Sequence, residues 1–442
     1  MLSTPYELPP EGRTTNSVRA LSLTWALRAT DERRPWAEAA LLSTALSLLF
    51  VLVYGGCNAL ASQRTDVASC FFAWELRIPF VPALIVPYMS IDLFFVASFL
   101  LCADRSELRA HAQRIAMAIL IAGWAFLSLP LTDGYPRPQV SGWTASMFEL
   151  LWSFDKPHNL VPSLHVALAS LLWPVYSRHR LVHTNGPLRW FVHLWFTLIL
   201  ASPLLTWQHH VIDVATGAML GQICLFAFSE RRDRSLVRSS ANLRVAGFYA
   251  AGSAVLGILA ITFGFWFWLL LWPASALAVV AIAYVRGTSS VFRKSNGSLP
   301  ISTRVVLGPY LLGTFARLWI YRRRGEPWRE VAPGVYRGRL LTRREALTVR
   351  AKGVTGVLDL TAEHAETRAF LEIEYLNVPV LDLTEPSREQ FDKAVRFIAT
   401  HALRGGVYVH CALGISRSVA AAAAYVASQP TPAPARGSEA RA

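Results

Sequence analysis

The 442-residue chain changes its hydrophobic pattern about two-thirds of the way along. Before residue 287, long apolar runs are separated by short polar loops. Eight runs approach the ~20 residues that a helix needs to cross a bilayer. They cover 37–57, 79–103, 114–131, 162–177, 190–206, 210–229, 244–263 and 265–286. The fourth to sixth are short or closely spaced, and the last pair also reads as a re-entrant hairpin. Residues 287–330 are basic and mixed. From 331 to 428, strand-length apolar runs (354–360, 375–380, 406–410) alternate with helical stretches (343–351, 389–403), which is an α/β pattern. The expected architecture is a polytopic all-α membrane bundle followed by a C-terminal α/β domain.

Composition agrees with that division. Hydrophobic residues make up 53% and charged residues 16%, too apolar a balance for a soluble protein of this length. The formal net charge of +14 would point to nucleic acid in a soluble chain. Here the arginines sit in short loops between apolar runs: Arg13 to Arg34, Arg105 to Arg114, Arg178 to Arg189, and Arg231 to Arg244. Loops of that kind face the cytoplasm and anionic lipid, so the expected partners are the bilayer and phospholipid, with no nucleic acid. The N-terminus, the even-numbered loops and everything after 286 are then cytoplasmic. The compact loops suggest a bacterial inner membrane. Residues 1–36 lack the apolar core and cleavage site of a signal peptide.

The expected organisation follows: a cytoplasmic segment 1–36, a six-span domain 37–230, a transmembrane hairpin 231–286, a juxtamembrane connector 287–330, an α/β domain 331–428, and a disordered Pro-, Ala- and Ser-rich tail 429–442. The five cysteines (Cys57, Cys70, Cys102, Cys224, Cys411) have no paired-ligand spacing, and no carboxylate cluster suited to a metal is evident. No metal or cofactor is expected.

Three polar patches fall on the side opposite the basic loops: Asp133 to Pro138 after the third run, Pro162 to His165 at the start of the fourth, and Ser202 to Asp213 between the fifth and sixth. A lone interfacial His or Ser is usually just solvated, but three patches on one face favour function, because ionisable groups beside spans are costly. His209 and Asp213 are spaced i, i+4 on one helix face, so the carboxylate can hold one imidazole nitrogen and leave the other as nucleophile. Ser163 and the amides around Pro162 open a helix suited to an anionic phosphate. His165 is placed to protonate a leaving alkoxide, and Arg137 to clamp phosphate oxygens. His210 is the weaker nucleophile, since it lacks the four-residue spacing to Asp213. Lys156 and His158 are further sources of positive charge.

These residues resemble the type-2 phosphatidic acid phosphatase superfamily over about residues 40–230. Its elements are Lys-x6-Arg-Pro, Pro-Ser-Gly-His and Ser-Arg-x5-His-x3-Asp. The resemblance implies that His209 is the nucleophile, Asp213 its orienting partner and His165 the acid. Pro130, Leu164 and Pro203 stand where that family has Lys, Gly and Arg. The loss of two cations looks closer to the branch of sphingolipid-headgroup transferases, so hydrolysis and headgroup transfer both stay open, as does a phosphate-binding scaffold with degenerate sites.

A second constellation lies in the last third. Val407-Tyr-Val-His410-Cys411-Ala-Leu-Gly414-Ile-Ser416-Arg417-Ser418 runs from strand through a glycine-containing loop into an alanine-rich helix. Amides of such a loop cradle phosphate oxygens and favour thiolate at Cys411. Gly414 and Ser416 belong to this phosphate-binding loop. Arg417 offers a bidentate clamp, and Ser418 a hydrogen bond to the departing thiolate. Asp382 is the candidate general acid.

This segment resembles dual-specificity protein phosphatases over about residues 331–428, with Asp382 matching that family's acid position and Pro333 to Gly338 its opening strand. The short C-terminus departs from that family, whose sheet is covered by further helices. The resemblance implies a cytoplasmic phosphatase site for phosphoprotein or phosphoinositide.

Overall fold

The computed structural model describes residues 35–64, 67–135, 138–155, 158–228, 240–323 and 325–429. The expected N-terminal segment 1–36 and tail 429–442 lie almost wholly outside the described residues, as do Arg137 and Lys156. The chain divides into two compact units, residues 1–230 and 231–442.

The first unit is helical. Its helices are α1 (Trp36–Ala61), α2 (Ile85–Leu101), α3 (Arg105–Ser128), α4 (Ala145–Phe154), α5 (Leu164–Arg178), α6 (Arg180–Thr184), α7 (Gly186–Leu205) and α8 (Val211–Ala227). Local signals set several boundaries. Asp104 caps α3 by accepting from the Glu107 amide at 2.8 Å, while the Glu107 carboxylate accepts from the Ala103 amide at 2.7 Å. The core is formed by facing apolar stripes, among them Ile115 and Ile119 of α3, Leu171 and Leu172 of α5, and Phe196 of α7.

Six helices among the described residues of the whole chain are long and apolar enough to cross a membrane. Two of the eight expected spans fall short of that length. The run 162–177 folds as the 15-residue α5, and the run 210–229 as the 17-residue α8. Both start later than their hydropathy suggests, because Ser163 and His210 occupy N-cap positions where the backbone is still extended.

The second unit opens with α9 (Ser240–Phe263) and α10 (Leu271–Arg286), two of the six apolar helices. The basic juxtamembrane connector contains two helices, α11 (Ile301–Val306) and α12 (Gly308–Arg322). Then come β1 (Trp328–Ala332), β2 (Val335–Gly338), α13 (Arg343–Arg350), β3 (Gly356–Thr361), α14 (Arg368–Leu371), β4 (Glu374–Val380), α15 (Arg388–Ala402), β5 (Val407–His410) and α16 (Arg417–Ser428). The sheet order is β1-β2-β5-β3-β4, with β1 antiparallel and the rest parallel.

Every residue of β3 and β5 is buried, as parallel strands covered on both faces require. Leu358, Leu360, Val407 and Val409 pack against Ala394 and Ile398 of α15 and Ala421 and Tyr425 of α16. Val357 and Tyr408 face the other way, onto Ala346, Val349 and Phe370. Capping boxes at Thr342/Glu345 and Ser387/Gln390 start α13 and α15. β5 is therefore the central strand, and the loop after it opens at the carboxyl edge of the sheet, where α/β folds place their ligands.

Candidate active sites

In the helical unit, α5 and α8 approach closely enough to bring two of the three polar patches together. A Cβ on Gly217 would lie 2.3 Å from the Ser163 carbonyl oxygen, so only glycine permits this contact. The Ser163 amide donates to the Asp213 carbonyl at 3.0 Å, and Ser163 Oγ caps α5 by accepting from the Val166 amide. Asp213 is buried, and its Oδ2 accepts from His209 Nδ1 at 3.3 Å and from the His210 amide at 2.8 Å. Nδ1 of His209 must carry the proton in that contact, which leaves Nε2 with its lone pair. His165 stacks on Tyr88 with ring centroids 4.3 Å apart, and its Nε2 donates to the Ile199 carbonyl at 3.2 Å. His165 and His209 line one cavity of about 420 Å³, together with Tyr54, Tyr88, Asp92 and Asp155.

His210 has a different setting. Its ring lies between Phe71 and Tyr135, and its Nδ1 sits 3.2 Å from the buried Glu75. Glu75 also accepts from the Val211 amide at 2.9 Å, so it caps α8 as well as fixing His210. These contacts occupy His210 Nδ1 and both faces of its ring. Glu75 was not singled out by sequence, where it is one carboxylate in a loop. The proposed clamp Arg137 lies outside the described residues.

In the α/β unit, β5 delivers Cys411 to the base of the loop, and α16 begins at Arg417. Gly414 has φ +75°, and a Cβ there would meet the Gly338 carbonyl carbon at 2.8 Å, so the loop's turn needs glycine on both counts. The turn is held by Arg337, which donates to the Gly414 carbonyl at 2.8 Å, and by the Leu340 amide on the Ala412 carbonyl at 3.1 Å. Cys411 Sγ lies 3.4 Å from Ser418 Oγ. Burial opposes ionisation of the thiol, but the Arg417 charge, the Ser418 hydroxyl and the Ser418 and Gly414 amides outweigh it, so the thiol titrates below its ordinary value. Ser416 is the exposed N-cap residue of α16.

Arg417 is buried, and its Nε has no hydrogen-bond partner among the described residues. Its guanidinium makes a bidentate pair with Glu363 (2.7 and 3.1 Å), donates to the Val380 carbonyl at 2.7 Å, and lies 3.2 Å from Asp382. Burial would raise the Glu363 carboxyl, yet the adjacent guanidinium holds it at about 2. Asp382 completes the group from the segment after β4, and its other oxygen pairs with Arg317 of α12 at 3.1 Å. Glu363 and Arg317 escaped the sequence reading. Glu363 follows the carboxyl end of β3, so listing the charged residues after each parallel strand would have found it. Arg317 carries no local signal.

Beneath the loop lies a buried ionic cluster. His410 Nε2 is 2.8 Å from Glu366 and 3.8 Å from Asp359, while the ammonium of Lys294 contacts Asp359 Oδ2. Burial opposes protonation of His410, but Glu366 and Asp359 outweigh it and raise its pKa. Ligand atoms of Asp359, Glu366 and His410 lie within 4.8 Å of one another, a grouping that the sequence alone did not bring together. With Lys294 on Asp359, the protein supplies the counter-charge itself, and a divalent ion there would meet that ammonium. Periodicity does not reveal the cluster, since its members come from four separated segments.

Comparison with known proteins bears on this second unit. Residues 342–429 match the family model "Dual specificity phosphatase, catalytic domain". Human dual specificity protein phosphatase 22 is 34% identical over 107 residues, covering 23% of this chain and 55% of that protein. Human dual specificity protein phosphatase 15 is 33% identical over 99 residues (22% and 32%), and mouse dual specificity protein phosphatase 12 is 37% identical over 101 (22% and 30%). The chain thus spans about half the length of the first of these relatives, and about a third of the others. No solved structure matches. The C-terminal segment that contains Asp382, Cys411 and Arg417 is therefore similar in sequence to dual specificity phosphatase catalytic domains.

Proposed function

We propose that the chain is a membrane-embedded phosphatase whose cytoplasmic site is Cys411, with a second, histidine-based lipid-phosphate site in the helical unit. One observation carries the first part: a thiol titrating below its ordinary value, next to a buried guanidinium, at the head of a glycine-turned loop and helix. The Cys411 thiolate attacks the phosphorus of a phosphomonoester, and the bond to the ester oxygen breaks. Asp382 gives its proton to the departing alkoxide, leaving phosphocysteine. Water then attacks, Asp382 takes a proton from it, and inorganic phosphate leaves with the thiolate restored. Arg417 meets the phosphate with its charge and its unpartnered Nε, oriented by the bidentate pair with Glu363.

In the helical unit, His209 Nε2 attacks a lipid phosphate and His165 protonates the leaving alcohol. The resulting phosphohistidine passes its phosphoryl group to water, with His165 accepting the proton. Where the substrate is a phosphodiester lipid, its lipid alcohol leaves and the phosphoryl group on His209 keeps the headgroup, so that a second lipid alcohol attacking in place of water makes the same site a headgroup phosphotransferase. The cavity lined by both histidines supports that second reading, because it offers room for an acceptor beside the reacting atoms. Six long apolar helices support the membrane setting, and a reducing cytoplasm suits a free thiolate.

Rapid quenching of the full chain with ³²P-labelled lipid phosphate, followed by peptide mapping, tests both sites. Label on the Cys411 and His209 peptides is expected. Label on neither, despite phosphate release, would refute the covalent mechanism.

A further inference from the structure

α12 has an apolar face on both sides. Its inner side buries Tyr310 and Leu318, with Tyr310 packed on Tyr249 and Phe292. Its outer side exposes Leu312 (68%), Phe315 (54%), Trp319 (49%) and Ile320 (46%), at the spacing of one helix face. An exposed apolar helix face of this size fits against another surface or against lipid. Its basic residues give the complementary charge for an anionic surface: Arg317 is half exposed, and Arg323 stacks over the Trp319 ring at 3.7 Å. The chain reaches α12 through residues 287–307 from α9 and α10, both apolar enough to span a bilayer.

The same helix touches the active site. Arg317 pairs with one oxygen of Asp382 while Arg417 pairs with the other, so two guanidinium groups stand one carboxylate's width apart. The Tyr284 hydroxyl of α10 donates to the Asp382 carbonyl at 2.9 Å, and Ser289 donates to the Pro379 carbonyl at 3.0 Å. Residues adjoining the site in sequence are apolar and exposed: Leu383, next to Asp382, and Ile415, in the Cys411 loop. Exposed aliphatic groups at a phosphate site serve little purpose in water, but they fit a site that opens onto acyl chains and headgroups.

We propose that the Cys411 site takes phosphomonoesters on lipids that remain in the bilayer, with α12 seating the site on the membrane surface and Arg317 binding the lipid's second, phosphodiester phosphate. The proposal rests on the phosphatase reading of Cys411. It separates lipid from phosphopeptide by chemistry, since a phosphorylated glycerophospholipid headgroup keeps a diester phosphate that a phosphotyrosine side chain lacks.

The test uses the full chain carrying His209→Ala, reconstituted in phosphatidylcholine vesicles, so that released phosphate reports Cys411 alone. Substrates are phosphatidylinositol 4-phosphate in the vesicles, its deacylated headgroup in solution, a phosphotyrosine peptide, and p-nitrophenyl phosphate as baseline. The lipid is expected to exceed the deacylated headgroup in kcat/KM by about 30-fold or more, reflecting surface concentration and seating. Arg317→Gln should raise KM for the lipid about tenfold, with Arg317→Lys restoring part of it. Leu312→Glu with Phe315→Glu should lower the ratio of lipid to p-nitrophenyl phosphate turnover about tenfold. Equal turnover of lipid and deacylated headgroup, or preference for the peptide, would overturn the inference and leave the phosphatase reading intact. No turnover of any substrate, p-nitrophenyl phosphate included, would overturn both.

Discussion

Replacing Ser418 by alanine should make Cys411 harder to ionise, by an amount the structure allows to be worked out. The thiol is buried, and Ser418 Oγ stands 3.4 Å from Sγ, a normal separation for a hydroxyl donating to a thiolate. A hydrogen bond to a charged acceptor contributes about 1.5–3 kcal/mol. At about 1.4 kcal/mol per pKa unit, its loss raises the Cys411 pKa by about one to two units. Arg417 and the loop amides remain, so the thiol should not climb past the value that burial alone would impose. The assay is the pH dependence of iodoacetamide alkylation, followed on the Cys411 peptide by mass spectrometry, which separates it from exposed Cys70 and the buried Cys57, Cys102 and Cys224. In wild type the alkylation midpoint should lie below the ordinary thiol value. In Ser418→Ala it should move upward by about one unit or more. A midpoint unchanged by the substitution would refute the assignment of Ser418 as a stabiliser of the thiolate.

Other expectations follow from the same geometry. Glu363 has its folded pKa depressed to about 2, so its pairing with Arg417 stabilises the fold above the unfolded pKa and is lost as pH falls from about 4.5 through 2. Glu363→Gln should cost about 3 kcal/mol near neutrality and flatten the acid limb of an unfolding-against-pH profile. An unchanged limb would count against the pair. Gly217→Ala forces a Cβ against the Ser163 carbonyl and should cost about 1–3 kcal/mol, with loss of His209-dependent turnover and retention of Cys411-dependent turnover. Loss of both activities together would contradict that separation. Asp213→Asn should cut lipid-phosphate turnover by about 10²-fold or more, since the imidazole loses the partner that sets its tautomer. Normal turnover would remove His209 from the nucleophile's role.

Sequence made some features legible and hid others for physical reasons. The apolar runs at 354–360, 375–380 and 406–410 fall on β3, β4 and β5, because buried parallel strands need continuous apolar side chains. The Cys411 loop was readable because its pattern is local: strand, glycine turn and helix start lie within a dozen residues. The i, i+4 spacing of His209 and Asp213 was readable for the same reason. Glu363, Arg317 and Glu75 were missed because each acts across a long sequence separation, where spacing carries no signal. The two shortened helices, α5 and α8, show hydropathy overrunning a cap: the apolar window includes residues 162–163 and 210, which the backbone spends on positioning the site. The connector's helices were hidden by its mixed charge, since α12 carries Arg317 and Arg322 among its apolar residues.

The most direct test of the central claim is phosphate release from p-nitrophenyl phosphate by the full chain carrying His209→Ala, with and without Cys411→Ser. Serine keeps the shape of the loop but lacks a nucleophile ionised near neutral pH, so turnover should fall by about 10³-fold or more. Turnover that stays within twofold when Cys411→Ser is added to His209→Ala would contradict the account, because the phosphate would then be leaving by a route that does not use the Cys411 thiolate.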